Sequence, residues 1–235
     1  MTPGVGSGAR RPSRIPPPVH VPAPPADPAD LDPLPEIWGA GRRFHRCFDI
    51  GWGSRDFYAG DAAHRSRFSP FTPDGTTEPL PVMYGAGDVD GAVYETVFHD
   101  VPVKGVKRVP RAKLLHRVVL ALTPTRDLSL VNLTSEGLRR LELTRRQLID
   151  SDARSYPDTA AWARALHSHP HHFDGLLWVS RQRDTSLALV LFGDRVETDE
   201  LEIAPEVPLT LGTGAGLEAV CAAAGRAGIT ITGLA

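Results

Sequence analysis

A chain of 235 residues, 41% hydrophobic and 23% charged, carries enough apolar material for one globular domain with a substantial core. Its net charge of −2 excludes a general electrostatic affinity for nucleic acid or anionic membranes, and no run approaches the 18 apolar residues of a spanning helix. Cys47 and Cys221 are too few for a disulfide framework, and the first twenty residues lack the apolar core of a signal peptide, so a cytoplasmic protein with reduced thiols is expected.

Residues 1–36 hold eleven of the 22 prolines and no Phe, Trp or Tyr. Such a segment buries too little to offset its ordering entropy, which predicts a disordered arm of polyproline character ahead of one domain at 37–235. "RRFHRCFDI" alternates as a strand does, with Phe44, Arg46, Phe48 and Ile50 on one face and His45, Cys47 and Asp49 on the other. Residues 53–80 are rich in Gly, Pro, Ser and Asp and read as a long loop, a place to look for a ligand. A strand ending at Tyr84, a glycine-rich turn and a helix follow over 80–100. Strands are expected at 113–122 and 127–134, and helices at 134–149 and 158–168. "FDGLLWVSRQ" and "TSLALVLFGDRV" read as two apolar strands. A helix at 213–227 and a strand or tail in "ITITGLA" close the chain. Strands and helices mix without regular βαβ alternation, which favours an α+β fold.

Glu95 is the oddest residue of the 80–100 segment. On a helical wheel it lies opposite the Val89, Val93 and Val97 stripe, flanked by Gly91 and Phe98. That side is not a solvated charged face, and a buried carboxylate needs compensation worth several kcal/mol, on the order of the cost of burying a lone charge. Arg46 shares a face with two phenylalanines, so it needs an anion, either a protein carboxylate or a phosphate. Arg67, set between Ser66 and Phe68, is a second arginine of the same kind. Tyr84 is either core packing or a flat ring for stacking, with a hydroxyl free to hydrogen-bond. Asp88 or Asp90 can cap the helix that follows. Ser180 shares a strand face with Leu176 and Trp178, but no G-x-S-x-G elbow marks it as a hydrolase nucleophile. "HSHPHHF" tempts a metal reading, yet Pro170 interrupts helical ligand spacing and no acid or thiol adjoins it; no metal is expected. A Walker A lysine motif and a dinucleotide-binding glycine fingerprint are both absent.

In order, Arg46 in "FHRCF", Arg67 in "SRFSPF", Tyr84 in "VMYGAGD", Glu95 in "AVYETVF" and Ser180 in "LLWVSRQ" resemble the RES domain family over roughly residues 42–200. The family often has glycine before the second arginine and an aromatic–Asn pair after it; Ser66 and Ser69 stand there in this chain. The resemblance implies an ADP-ribosyltransferase-like fold, a compact mixed sheet with flanking helices. It also implies a growth-arresting toxin that cleaves the nicotinamide–ribose bond of NAD+ by phosphorolysis or hydrolysis. NAD+ would be a substrate rather than a resident cofactor, with phosphate as an open co-substrate. In this reading Glu95 stabilises charge on the ribose, and Arg46 and Arg67 hold the diphosphate or receive phosphate. Tyr84 stacks on nicotinamide, and Ser180 bonds ribose or phosphate. The expected partner is an Xre-type antitoxin, with homodimerisation left open. Two alternatives are an ADP-ribosyltransferase acting on a protein and a catalytically silent binding module.

Overall fold

In chain order the elements are β1 (Pro35–Trp38), β2 (Phe44–Asp49), β3 (Val82–Ala86), α1 (Val89–Thr96), β4 (Arg108–Pro110), β5 (Arg117–Pro124), β6 (Leu128–Asn132), α2 (Ser135–Arg140), α3 (Arg145–Leu148), α4 (Tyr156–His167), β7 (Gly175–Val179), β8 (Leu187–Phe192), β9 (Leu201–Ile203), β10 (Leu209–Thr210), α5 (Gly214–Arg226) and β11 (Thr230–Thr232). They come from a computed structural model that describes residues 19–60 and 63–234. Among these residues one mixed sheet runs in the order β1-β6-β7-β8-β3-β2-β5-β10, with β9 also on β5, and β4 and β11 form a small parallel pair. β6 and β7 are parallel, and the other neighbours in the large sheet are antiparallel.

Two-residue alternation explains how the sheet is covered. Ala188, Val190 and Phe192 of β8 join Leu176 and Trp178 of β7 in a core shared with α4, whereas Leu189, Leu191 and Leu177 point the other way. That second face meets Phe44, Phe48, Met83, Leu120 and Leu130, and no helix contributes to this cluster. Strand therefore packs on strand there, so the sheet curls over its own apolar face. On the outer side α1 and α5 cover Cys47 and Val119 in a third cluster. This is the mixed α+β architecture expected from the sequence.

Local chemistry sets the element ends. Asp88 is the cap of α1: its carboxylate accepts the Gly91 N–H at 2.7 Å and the Ser186 hydroxyl at 2.7 Å. The helix expected at 134–149 is two short ones. Glu142 takes a positive φ of 56°, which turns the chain and buries Leu141 and Leu143. Thr144 and Gln147 then start α3 with a reciprocal capping box. Ile50 leaves the β2 face and is 59% exposed, because the strand stops at Asp49.

The proline-rich segment departs from expectation where it is described. Val21 and Leu31 are buried in the core shared with α4. The Trp162 Nε1–H donates to the Pro22 carbonyl at 2.7 Å, and Arg140 pairs with Asp32. Residues 19–36 thus lie against the domain and lead into β1. Composition alone hid this because two apolar side chains and one indole suffice to anchor a short extended strap. The first 18 residues of the expected arm lie outside the described residues.

Candidate active site

β2 pairs with β5 along its whole length, from Phe44 opposite Leu122 to Asp49 opposite Arg117, but with β3 only at His45 opposite Ala86. β3 is paired fully with β8. The two strands therefore part beyond His45 and become the walls of a wedge-shaped cleft. Gly85 stands at its apex, where a Cβ would come within 2.6 Å of the Phe44 ring, so a side chain would force the strands apart. The cleft encloses a cavity of about 670 Å³, within the range of small-molecule sites. Arg46, Ser66, Arg67, Tyr84 and Glu95 all line it.

Glu95 is half-buried on α1 and accepts a 2.5 Å hydrogen bond from the Ser180 hydroxyl. Ser180 is fully buried just beyond β7. Its oxygen accepts the backbone N–H groups of Gln182 and Arg183 at 3.1 and 3.0 Å. Arg145 fixes the same turn by donating to the Val179 and Ser180 carbonyls, both at 3.0 Å. A serine hydroxyl has one proton to give, and this one goes to Glu95. Ser180 is not among the residues that line the cavity, and its hydroxyl is engaged by Glu95. It is a positioning residue for the carboxylate.

Arg46 and Arg67 are each 8% exposed. Arg46 Nη1 donates to the Ser54 carbonyl at 2.9 Å, with its guanidinium 5.3 Å from the Phe48 ring centroid. Arg67 Nη1 donates to the carbonyls of Leu148 and Ser151 and to the Ser151 hydroxyl, at 3.1, 3.2 and 2.8 Å, and the group lies over Tyr156. Neither guanidinium pairs with a carboxylate among the described residues. Desolvation lowers both pKa values from the ordinary arginine value, but a guanidinium stays charged in a protein. Two buried cations that form no ion pair among the described residues border one cavity, an arrangement suited to an anionic ligand. Among the described residues no carboxylate forms an ion pair with Arg46, and Asp56 acts on it only at longer range. Arg67 is tied to the end of α3, so it is a fixed wall rather than part of a loop free to close.

The Tyr84 hydroxyl is engaged, contrary to expectation. It accepts the Phe68 N–H at 3.1 Å and lies 2.9 Å from the Ser66 hydroxyl, which is itself 3.0 Å from that of Ser69. The two serines that stand in place of glycine and asparagine thus build a hydroxyl network that holds the Arg67 loop against β3. The ring of Tyr84, edge-on to Trp178 at 6.3 Å, remains along the cavity wall.

Further wall residues escaped the sequence reading. His99 lies in the turn beyond α1, four residues after Glu95. Its Nδ1 is 2.8 Å from Asp100 Oδ1, its Nε2 is 3.3 Å from the Tyr156 hydroxyl, and both His99 and Asp100 line the cavity. Arg117 reaches the wall from β5 and Trp52 from the turn after β2, and neither carried a sequence signal. "HSHPHHF" is a helix end and loop: His167 pairs with Asp194 at 2.9 Å, and the rings of His169 and His171 pack on Phe173.

The RES domain family profile matches residues 37–212. Among solved structures the chain is similar to one from the crystal structure of the M. tuberculosis MbcT–MbcA toxin–antitoxin complex. The identity is 14% and the TM-score 0.52, with 74% of this chain and 87% of that chain covered. Likeness at that identity is one of fold. A search of curated proteins found no match. With the greater part of its length inside the family match, and with the arginine, glutamate and serine of the resemblance gathered around one cleft, the chain belongs to the RES domain family.

Proposed function

We propose that the chain is the toxin of a toxin–antitoxin pair and cleaves the nicotinamide–ribose bond of NAD+. The observation that carries this reading is a carboxylate, Glu95, fixed by Ser180 and facing the same cavity as two buried arginines that form no ion pair among the described residues. As nicotinamide leaves with the bonding electron pair, positive charge develops on the ribose. A preorganised carboxylate in a water-poor site stabilises such charge strongly. Arg46 and Arg67 would hold the diphosphate, and the Tyr84 ring offers nicotinamide a flat face. Attack by phosphate would give ADP-ribose-1-phosphate, and attack by water would give ADP-ribose. The fold likeness to a chain of a toxin–antitoxin complex supports an antitoxin as the protein partner.

The test is product analysis of the purified protein with NAD+, with and without phosphate. Free nicotinamide together with either ADP-ribose product supports the reading. ADP-ribose found on protein would favour transfer to a protein target. Intact NAD+ after prolonged incubation would overturn the proposal.

A further inference from the structure

Four tryptophans occur in the chain, and three are core residues: Trp38, Trp162 and Trp178 are 1%, 3% and 2% exposed. Trp52 is 53% exposed, although its surroundings are ordered. Its N–H donates to the Asp49 carbonyl at 2.9 Å, and the Gly53 N–H donates to Asp56 at 2.7 Å. A Cβ at Gly53 would fall 2.4 Å from the Asp56 carboxylate, which would have to leave its bond to the Gly53 N–H. Arg46 grips the same turn through the Ser54 carbonyl. A rigid turn thus holds an indole out of the core. Its neighbour is Tyr58, 5.3 Å away and edge-on, itself fixed to Val82 by two backbone hydrogen bonds of 2.9 Å. Val82 lies at the opposite end of β3 from Ala86, where β3 pairs with β2, so this aromatic pair flanks the wide mouth of the cleft, and both rings line the cavity.

We propose that Trp52, braced edge-on by Tyr58, forms the stacking platform for the adenine base of the dinucleotide. This rests on the NAD+ reading above. A dinucleotide carries an aromatic group at each end of its diphosphate. Glu95 and Tyr84 belong to the reacting end, and the arginines lie beside the cavity they share. Phe48 and Trp178 also line the cavity but are buried, so the exposed aromatic surface among the described lining residues is at the mouth, where a base reads as a π-face and needs no buried polar partner.

The experiment compares Trp52→Ala and Trp52→Phe with the parent protein on NAD+ and on nicotinamide mononucleotide, which keeps the same scissile bond and lacks the adenylate. For Trp52→Ala the KM for NAD+ should rise about five- to 150-fold, the range that loss of one base–aromatic stack of ~1–3 kcal/mol gives. Its kcat and its KM for the mononucleotide should hold, and Trp52→Phe should recover most of the loss. Equal rises for both substrates would put the reacting end at Trp52 and overturn the assignment. Quenching of tryptophan fluorescence by AMP supplies a readout independent of turnover. It should occur in the parent protein and disappear in Trp52→Phe. A protein that cleaves neither substrate but shows this quenching would defeat the cleavage reading and keep the base platform. No quenching, with the KM for NAD+ unmoved by Trp52→Ala, would overturn the platform and leave the indole to a protein partner.

Discussion

Ser180 and Glu95 divide one task between them: the acid faces the cavity, and the buried hydroxyl fixes its orientation. Ser180→Ala should therefore lower kcat for NAD+ cleavage about ten- to a hundredfold while largely keeping KM, since a hydrogen bond to a charged group contributes about 1.5–3 kcal/mol. A purely structural serine would instead lower melting temperature and leave the kcat of folded molecules unchanged. The arginines should separate in the same kind of measurement. Arg46→Lys keeps the charge and loses the fork, so the KM for NAD+ should rise about tenfold or more with modest loss of stability. Arg67 also ties Leu148 and Ser151 to the 64–69 loop, so Arg67→Lys should cost stability as well as affinity. Equal melting temperatures for the two variants would contradict that division. Arg46, Arg67, Tyr84 and Glu95 were legible in sequence because each placed charge or an aromatic ring where apolar periodicity called for packing or a turn. What Ser180 and the Tyr84 hydroxyl bond to was not legible, because their partners lie 85 and 18 residues away.

Strand β2 shows how much an element reveals before folding. Its alternation foretold Phe44, Arg46 and Phe48 on one buried face, and the structure has them there. The single-position pairing with β3 that opens the cleft was invisible, since register between distant strands leaves no local pattern. The break at Glu142 was missed for a different reason: helical periodicity continues across it while the backbone does not. A residue other than glycine at positive φ costs roughly 1 kcal/mol. Glu142→Gly should thus raise the melting temperature by about 1–3 °C in thermal unfolding, and a fall would contradict the strain. On the opposite face of β2, burial pushes the Cys47 thiol up to about 11. A free thiol near 9.0 has far more thiolate at pH 8, so alkylation of Cys47 should be about a hundredfold slower than that of an exposed cysteine. The sign of the stability linkage follows. Above pH 9 the unfolded chain loses this proton while the folded one keeps it. Cys47 thus supports the fold fully below pH 9, and that contribution is lost as pH rises through about 11. Chemical denaturation between pH 8 and pH 11 measures this, and a Cys47→Ser variant should show a shallower fall.

At the scale of the molecule the N-terminal strap and the cleft belong to one body. Val21, Leu31 and the Trp162–Pro22 bond hold residues 19–34 against the core behind the cleft. Removal of residues 1–33 should lower the melting temperature by about 10 °C, as loss of two buried side chains at ~1.5–3 kcal/mol each implies for a chain of this size. An unchanged melting temperature would show that the strap adds nothing. The fold class was readable because mixed strand and helix periods survive averaging over the whole chain, whereas the strap depends on a few long-range contacts that composition cannot show. Everything proposed about activity converges on Glu95. The most direct measurement is the rate of nicotinamide release from saturating NAD+ by the parent protein and by Glu95→Gln, with melting temperature recorded for both. Removing one preorganised electrostatic group should slow release by about 10²–10³ in a protein that remains folded. Release by folded Glu95→Gln at the parent rate would contradict the role given to this carboxylate.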